Sequence, residues 1–257
     1  MRYPLILVLA LFVIAGAAIA DDITREKFEL ALHPSAKLAY DDGMRHLDSL
    51  DRSHYNISAA DYFFETAARL DPGYPYVHHQ IARIDFIQGH YPEALAEVNK
   101  EIANDPGKTR AAAYYLRGIV EGYLNDYQDA SRDYKQYVEL NPVGWEGRTD
   151  YAWTLIKTGN LKDAMADVNE GLAQHPGNPW LLSVRATVLY EQGKLPEALA
   201  AARKAKIAVD GVTDDAWLKA YPGNDPMVAP TGVATLRAAA ESNLEKIELE
   251  AAKKGIK

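Results

Sequence analysis

A short motif that ends in proline recurs along the chain at almost fixed intervals, and no other feature constrains the fold as strongly. The intervals are 34, 36, 34 and 34 residues, and each unit also carries an alanine twelve residues before its end. Self-similarity at this period predicts stacked copies of one supersecondary unit. The motifs are Leu70-Asp71-Pro72, Asn104-Asp105-Pro106, Leu140-Asn141-Pro142, Gln174-His175-Pro176 and, without proline, Val209-Asp210; the alanines are Ala60, Ala94, Ala130, Ala164 and Ala198.

Each unit is predicted to be a helix, a turn and a second helix. Proline cannot continue the helical hydrogen-bond ladder, so the motif marks the end of the second helix. A small residue in the first helix allows close crossing with the alanine of the second. These small residues are Ala82, Gly118, Ala152 and Ala186, and turns such as Gly89-His90-Tyr91 and Asn125-Asp126-Tyr127 precede the alanines.

The units resemble the tetratricopeptide repeat family over about residues 36–210, in five units. The segments Tyr114-Tyr115-Leu116-Arg117-Gly118, 127–134 and Leu195-Pro196-Glu197-Ala198-Leu199-Ala200 carry the resemblance most clearly. It implies an all-α fold, a right-handed superhelical solenoid in which the first helices line a concave face.

Two departures from the family pattern are visible. Asp85 and Glu121 replace the usual aromatic residue late in the first helix, which predicts a polar seam there. The first unit carries about five extra residues near Arg52 to Ile57, which predicts a longer loop or an extended first helix.

After Asp210 the repeat pattern stops. Residues 211–231 form a predicted loop segment, with a short helix possible at Asp214 to Ala220. Residues 232–257 are predicted to form a C-terminal capping helix, because solenoids need a polar end; a partner-binding helix is the alternative. Its apolar stripe consists of Val233, Leu236, Ala240, Leu244, Ile247 and Ala251.

The first 20 residues have the features of a signal peptide. Arg2 precedes an apolar run from Leu5 to Ala15, and Ala18-Ile19-Ala20 before Asp21 matches an A-x-A cleavage site. This predicts an extracytoplasmic protein, periplasmic or secreted, with residues 21–35 as a lead-in to the repeats. A membrane anchor that stays uncleaved is the alternative, because Tyr3 to Ala20 has no charge for 18 residues.

Composition narrows the possible partners and chemistry. The net charge is −8 with 36 acidic and 28 basic residues, and −9 without Arg2 (36 against 27). An acidic chain without basic runs disfavours nucleic acid, and no membrane insertion is expected after cleavage of the signal. The chain has no cysteine, so thiol catalysis, thiolate metal sites and a lipoprotein anchor are excluded.

No catalytic motif is present, so the chain is not expected to be an enzyme or to bind a cofactor. His78-His79 is the only suggestive pair of metal ligands, but adjacent helical residues point about 100° apart. No metal site is therefore predicted.

The resemblance implies that functional residues lie on the concave groove. Packing between helices is the alternative for the aromatic members, above all for Tyr123 and Tyr190. The places of a chaperone-type carboxylate clamp are mostly aromatic or apolar here, so that function is not carried over. The candidate groove residues are Tyr76, His79, Arg83, Phe86, Tyr115, Ile119, Tyr123, Asp150, Trp153, Lys157, Trp180 and Tyr190.

Three functions compete at this stage. An aromatic trough suits an extended peptide or a helix, which favours a scaffold that binds a protein or peptide partner. Aromatic platforms also stack on sugar rings, so a subunit that binds carbohydrate or a small ligand is the alternative. An uncharacterised enzyme is third, and would need a cleft with strongly perturbed ionisable groups.

Overall fold

The computed structural model describes residues 35–47, 53–104, 110–220 and 229–256. The predicted signal peptide and nearly all of the predicted lead-in lie outside these residues. The described part contains twelve α-helices: α1 (Ala36–Leu47), α2 (Ile57–Leu70), α3 (Val77–Gln88), α4 (Tyr91–Asn104), α5 (Arg110–Tyr123), α6 (Tyr127–Leu140), α7 (Trp145–Lys157), α8 (Leu161–Gln174), α9 (Pro179–Glu191), α10 (Leu195–Asp210), α11 (Asp214–Ala220) and α12 (Ala229–Lys253). None of these helices is long and apolar enough to span a membrane.

Helices α1 to α10 form five consecutive pairs, and each pair packs on the next. The all-α solenoid expected from the sequence is therefore the fold of the chain. In the second to fifth pairs, the turn between the two helices contains a residue with left-handed backbone conformation, two residues before the second helix begins. These residues are Gly89, Asn125, Gly159 and Gly193, with φ between 68° and 82°.

The two helices of each unit cross at small residues, as the spacing predicted. Ala82, Ala152 and Ala186 are at most 2% exposed, and the alanines of the second helices are fully buried. A Cβ atom added to Gly118 would lie 3.0 Å from the ring of Tyr134. The Tyr134 ring therefore leaves little room for a side chain at Gly118.

A hydrogen-bonded pair of side chains ties the helices together in two units. In the fourth unit, Arg148 on α7 donates to Asp167 on α8 at 2.7 Å and to the Pro142 carbonyl at 3.0 Å. In the second unit, His78 takes the same position and contacts Glu97 at 2.7 Å and the Pro72 carbonyl at 3.0 Å. We call these two arrangements the helix ties.

The third unit uses a different position for the same purpose. Arg117 on α5 donates two hydrogen bonds to Asp133 on α6, at 2.5 and 2.8 Å. Asp133 occupies the same place in its unit as Glu97 and Asp167 do in theirs, and Ala201 occupies it in the fifth unit. We include the Arg117–Asp133 pair among the helix ties.

The predicted polar seam is present at Asp85 and Glu121. The pKa of Glu121 is raised to about 8, mainly by burial and then by the nearby Asp133 carboxylate, while Arg117 opposes the shift. Burial likewise raises the pKa of Asp85 to about 6. Leu155 and Leu189 take this position in the last two units and are buried, so the seam does not continue into these units.

Between α1 and α2, residues 48–52 lie outside the described residues, so the predicted longer loop or extended first helix near Arg52 to Ile57 stays a prediction. Asn56 caps α2 by accepting a hydrogen bond from the Ala59 N–H at 3.0 Å.

Helix α12 begins at Ala229, three residues before the start expected from the sequence, and packs against α10. Ile247 and Ala251 of α12 join Leu189, Ala198 and Ala202 in one apolar cluster. The helix therefore covers the apolar surface that a sixth repeat would cover.

Glu101 caps a helix that is distant in sequence. This residue of α4 is 1% exposed, and its carboxylate accepts hydrogen bonds from the backbone N–H groups of Tyr76 at 2.9 Å and His79 at 3.3 Å. These groups belong to the start of α3, where the helix dipole favours a negative charge. Tyr76 itself has left-handed backbone conformation, with φ of 65°.

We expect Glu101→Ala to destabilise the chain by about 2–4 kcal/mol, because two buried N–H groups lose a charged acceptor. Glu101→Gln keeps an acceptor of the same shape and should cost about 1 kcal/mol. Urea unfolding followed by circular dichroism measures both changes. Glu93→Gln on the exposed face of the same helix is the control and should stay within about 0.5 kcal/mol. Equal effects of the Glu101 and Glu93 variants would contradict the capping role.

Candidate binding groove

The predicted groove residues lie on the first helices of the second to fifth units, or at their start, but their exposure differs widely. Arg83 and Trp180 are buried, whereas Tyr123, Trp153 and Lys157 are exposed. The other seven are half-buried: Tyr76, His79, Phe86, Tyr115, Ile119, Asp150 and Tyr190. The twelve residues therefore do not form one open surface.

His79 and Arg83 belong to the joint between the first two units. Burial lowers the pKa of His79 to about 4, with a smaller contribution from Arg83. The His79 Nδ1 atom is buried and has no hydrogen-bond partner among the described residues. Arg83 donates to Gln80 at 3.4 Å, and burial lowers its pKa while the nearby phenols of Tyr55 and Tyr40 oppose the shift.

Tyr115 and Asp150 connect the third and fourth units. The Tyr115 ring packs on the rings of Tyr137 and Tyr134, with centroids 4.8 and 5.8 Å away. Its hydroxyl donates to Asp150 at 2.9 Å. Burial raises the pKa of Asp150 to about 7, and this hydrogen bond partly opposes the shift. Tyr115 is thus a packing residue as much as a groove residue.

Trp180 lies in the core and not on an open trough. Its ring stacks on Trp145 with centroids 4.7 Å apart and planes at 28°. Trp217 of α11 and Val233 of α12 belong to the same apolar cluster. The sequence could not reveal this arrangement, because the segment that covers Trp180 comes after the repeats.

The exposed residues share one edge of the stack, at the carboxyl ends of the first helices. We call this row the aromatic edge, and it has three places. At the first, Tyr123 contacts Phe86 and Tyr91 with ring centroids 4.9 and 5.3 Å away. At the second, Trp153 contacts Tyr127 edge-on at 5.4 Å, and the Lys157 ammonium lies 4.8 Å from its ring centroid.

Helix α12 supplies part of the third place. The Tyr190 hydroxyl of α9 donates to Glu250 of α12 at 2.7 Å, and the Lys246 ammonium lies 4.3 Å from the Tyr190 ring centroid. Asn243 of α12 also donates to Thr187 of α9 at 3.2 Å. The aromatic edge therefore continues beyond the fifth unit onto α12.

Sequence reasoning missed three members of the aromatic edge: Tyr91, Tyr127 and Lys246. Tyr91 and Tyr127 begin the second helices, and the prediction took the groove to be lined by first helices alone. Their shared repeat position, three residues before Ala94 and Ala130, was a usable signal. Nothing in the repeat pattern pointed to Lys246, because it lies outside the repeats.

The exposed groups suit binding by stacking and apolar burial. Tyr123 is 60% exposed and Trp153 is 41% exposed, although each ring has another aromatic ring against it. Among the described residues, no group of three or more His, Asp or Glu side chains could hold a metal ion.

Paired helices stacked in this way define a helical repeat solenoid. A sequence profile of the tetratricopeptide repeat family matches residues 115–179, and a second profile of that family matches residues 179–204. Residues 115–204 are therefore tetratricopeptide repeats, as the sequence resemblance implied. No curated protein sequence matches the chain.

Several solved structures share the fold at low sequence identity. MamA superposes with a TM-score of 0.58 at 17% identity, over 68% of this chain and 92% of MamA. YrrB, described as a TPR protein with an unusual peptide-binding site, has a TM-score of 0.54 at 21% identity, over 71% and 86%. PilW, described as a type IV pilus biogenesis factor, has a TM-score of 0.59 at 17% identity, over 82% and 92%.

We expect the chain to lose stability as the pH rises through neutrality, and Asp150 to contribute to the loss. The folded chain holds the Asp150 proton up to about pH 7, whereas the unfolded chain releases it near pH 4. The stability from this group is therefore complete below about pH 4 and is lost as the pH rises through about 7.

Asp150→Asn removes this loss, because the amide is neutral and its oxygen can still accept from Tyr115. Relative to wild type, the variant should gain on the order of 2 kcal/mol between pH 5 and pH 8.5. Urea unfolding at the two pH values measures the gain. Asp163→Asn replaces an exposed carboxylate, and its stability should equal that of wild type at both pH values. An equal gain for Asp163→Asn and Asp150→Asn would refute the assignment of the pH dependence to Asp150.

Proposed function

We propose that the chain is a non-catalytic scaffold that binds a protein or peptide partner along the concave face, with the aromatic edge as the main contact. The exposure of Tyr123 and Trp153 on one edge carries the proposal. Single exposed hydrophobic residues are normal on a protein surface, but an ordered row of aromatic rings is typical of an interaction site.

The shape of the aromatic edge favours an extended partner. Its three places follow one another from the second unit to α12, and each is formed between adjacent units. Rings that are already held by neighbouring rings lose little entropy when they are covered. The peptide-binding site of YrrB, which shares the fold, is consistent with this use of the groove.

A sugar-binding role is less well supported. Stacking on a sugar needs an open ring face, and Lys157 lies over Trp153 while Lys246 lies over Tyr190. Tyr123 is left as a single exposed ring, which is a small platform for a sugar polymer. We therefore propose a polypeptide partner.

We also propose that the protein acts outside the cytoplasm, on the basis of residues 1–20. N-terminal sequencing of the mature protein from cell envelope or medium should begin at or near Asp21, because the A-x-A end of the apolar run is a cleavage signal. The role of PilW in pilus biogenesis is compatible with such a location for this fold. Recovery of the protein with Met1 in the membrane fraction would instead support an uncleaved anchor.

Trp153→Ala tests the proposed binding surface. We expect partner affinity to fall at least about thirty-fold, because an aromatic anchor of an interface contributes upwards of about 2 kcal/mol. Partner proteins captured from envelope extract on the immobilised mature chain are identified by mass spectrometry, and their affinities are then measured by titration. Thermal unfolding of the variant should stay close to wild type, since the ring is partly exposed.

Two control variants separate binding from folding. Tyr114→Ala changes a half-buried ring outside the aromatic edge and should leave partner affinity intact. Trp180→Ala removes a core ring and should cost about 3–5 kcal/mol of folding stability. If Trp153→Ala unfolded like Trp180→Ala, or bound the partner like wild type, the aromatic edge would not be the binding surface.

A further inference from the structure

Two of the three places on the aromatic edge have a lysine of the chain over an aromatic ring. Lys157 lies 4.8 Å from the Trp153 ring centroid, and Lys246 lies 4.3 Å from that of Tyr190. An ammonium group within about 6 Å of a ring centroid is attracted by the negative face of the ring. At these two places, the group that packs on the aromatic ring is therefore an ammonium group.

The first place has rings and no cation. Tyr123 stands five residues after Gly118, as Lys157 stands five residues after Ala152, so a tyrosine replaces the lysine at this repeat position. Phe86 and Tyr91 hold the Tyr123 ring from two sides, and it remains 60% exposed. Among the described residues, no lysine or arginine lies over it.

Two exposed carboxylates stand next to the first place in sequence. Glu93 follows Tyr91 by two residues and Asp126 follows Tyr123 by three, and neither has an ion pair among the described residues. The other acidic residues nearby contribute less charge, because Glu97 pairs with Lys100, Asp129 pairs with Arg132, and the pKa of Glu121 is raised to about 8. The Asp150 carboxylate also acts on the Tyr123 phenol. A cation is therefore favoured at this place by the ring and by the surrounding charge, whereas an acidic group is disfavoured by both.

We propose that Tyr123, supported by Phe86 and Tyr91, binds a lysine or arginine side chain of the partner. This inference rests on the proposed function, since it specifies the chemistry of one contact in the proposed groove. The partner's cation makes with the Tyr123 ring the kind of contact that Lys157 and Lys246 make with the rings of Trp153 and Tyr190. The partner segment is accordingly basic or neutral at this point and not acidic.

Selection of peptides from a random displayed library tests the inference separately from the function. The mature wild-type chain and the Tyr123→Leu variant are used as baits under the same conditions, and the bound peptides are sequenced. We expect lysine and arginine to be enriched at one peptide position with wild type and not with Tyr123→Leu. Tyr123→Phe keeps a ring and should keep the enrichment.

The outcomes are distinct. A library that yields no binding peptides overturns the proposed function, and this inference with it. If peptides bind wild type but share no basic position, this inference alone is overturned. It is also overturned if Tyr123→Leu selects peptides with the same basic position as wild type. Selection of aromatic or aliphatic residues at that position would identify Tyr123 as an apolar contact.

Affinity measurements on a selected peptide give the size of the effect. Replacing its basic residue by norleucine, which keeps the aliphatic stem, should weaken binding roughly two- to five-fold for wild type. With Tyr123→Lys, which reproduces the arrangement of Lys157, the basic peptide should lose its advantage over the norleucine peptide. Equal affinities of the two peptides for wild type would refute a cation contact.

Discussion

Close contact between two helices at a pair of small residues underlies the whole structure. Because Ala82, Gly118, Ala152 and Ala186 have almost no side chain, the second helix of each unit lies directly against the first. This crossing fixes the angle within a unit, and the repetition of the unit then fixes the direction of the stack. Side chains on the same face of the first helices therefore form rows along the solenoid. The aromatic edge is one such row, although Tyr123, Trp153 and Tyr190 occupy neighbouring positions on that face and not one repeat position.

Local periodicity was enough to predict the repeats, their small residues and the polar seam, because each depends on contacts within one unit. The roles of particular rings depend on neighbours from other units, and these were not predictable. Tyr115 and Trp180 hold groove positions in the repeat, yet the hydroxyl of Tyr115 donates to Asp150 of the next unit and Trp180 is covered by α11. The cap that Glu101 provides for α3 is also a contact between helices, with no signal in either helix alone.

The candidate site is a property of the joints between units. Each place on the aromatic edge combines a residue of a first helix with the start of the second helix of the preceding unit, or with α12 at the end of the stack. A single isolated unit would not present any of these places. Partner binding and the packing of one repeat unit on the next are therefore coupled, since a change in the angle between neighbouring units also separates the rings.

The helix ties have a consequence for how the chain avoids misfolding. Similar units risk pairing with the wrong neighbour, which is a common error in repeat proteins. The ties make the units unequal, because the fifth unit has Leu182 at the position of Arg148 and Ala201 at that of Asp167. If α9 took the place of α7 against α8, Leu182 would face the Asp167 carboxylate and leave it buried without its cation, at a cost of several kcal/mol. The Arg148–Asp167 pair thus disfavours the pairing of α8 with a first helix that lacks the cation, such as α9 in the place of α7.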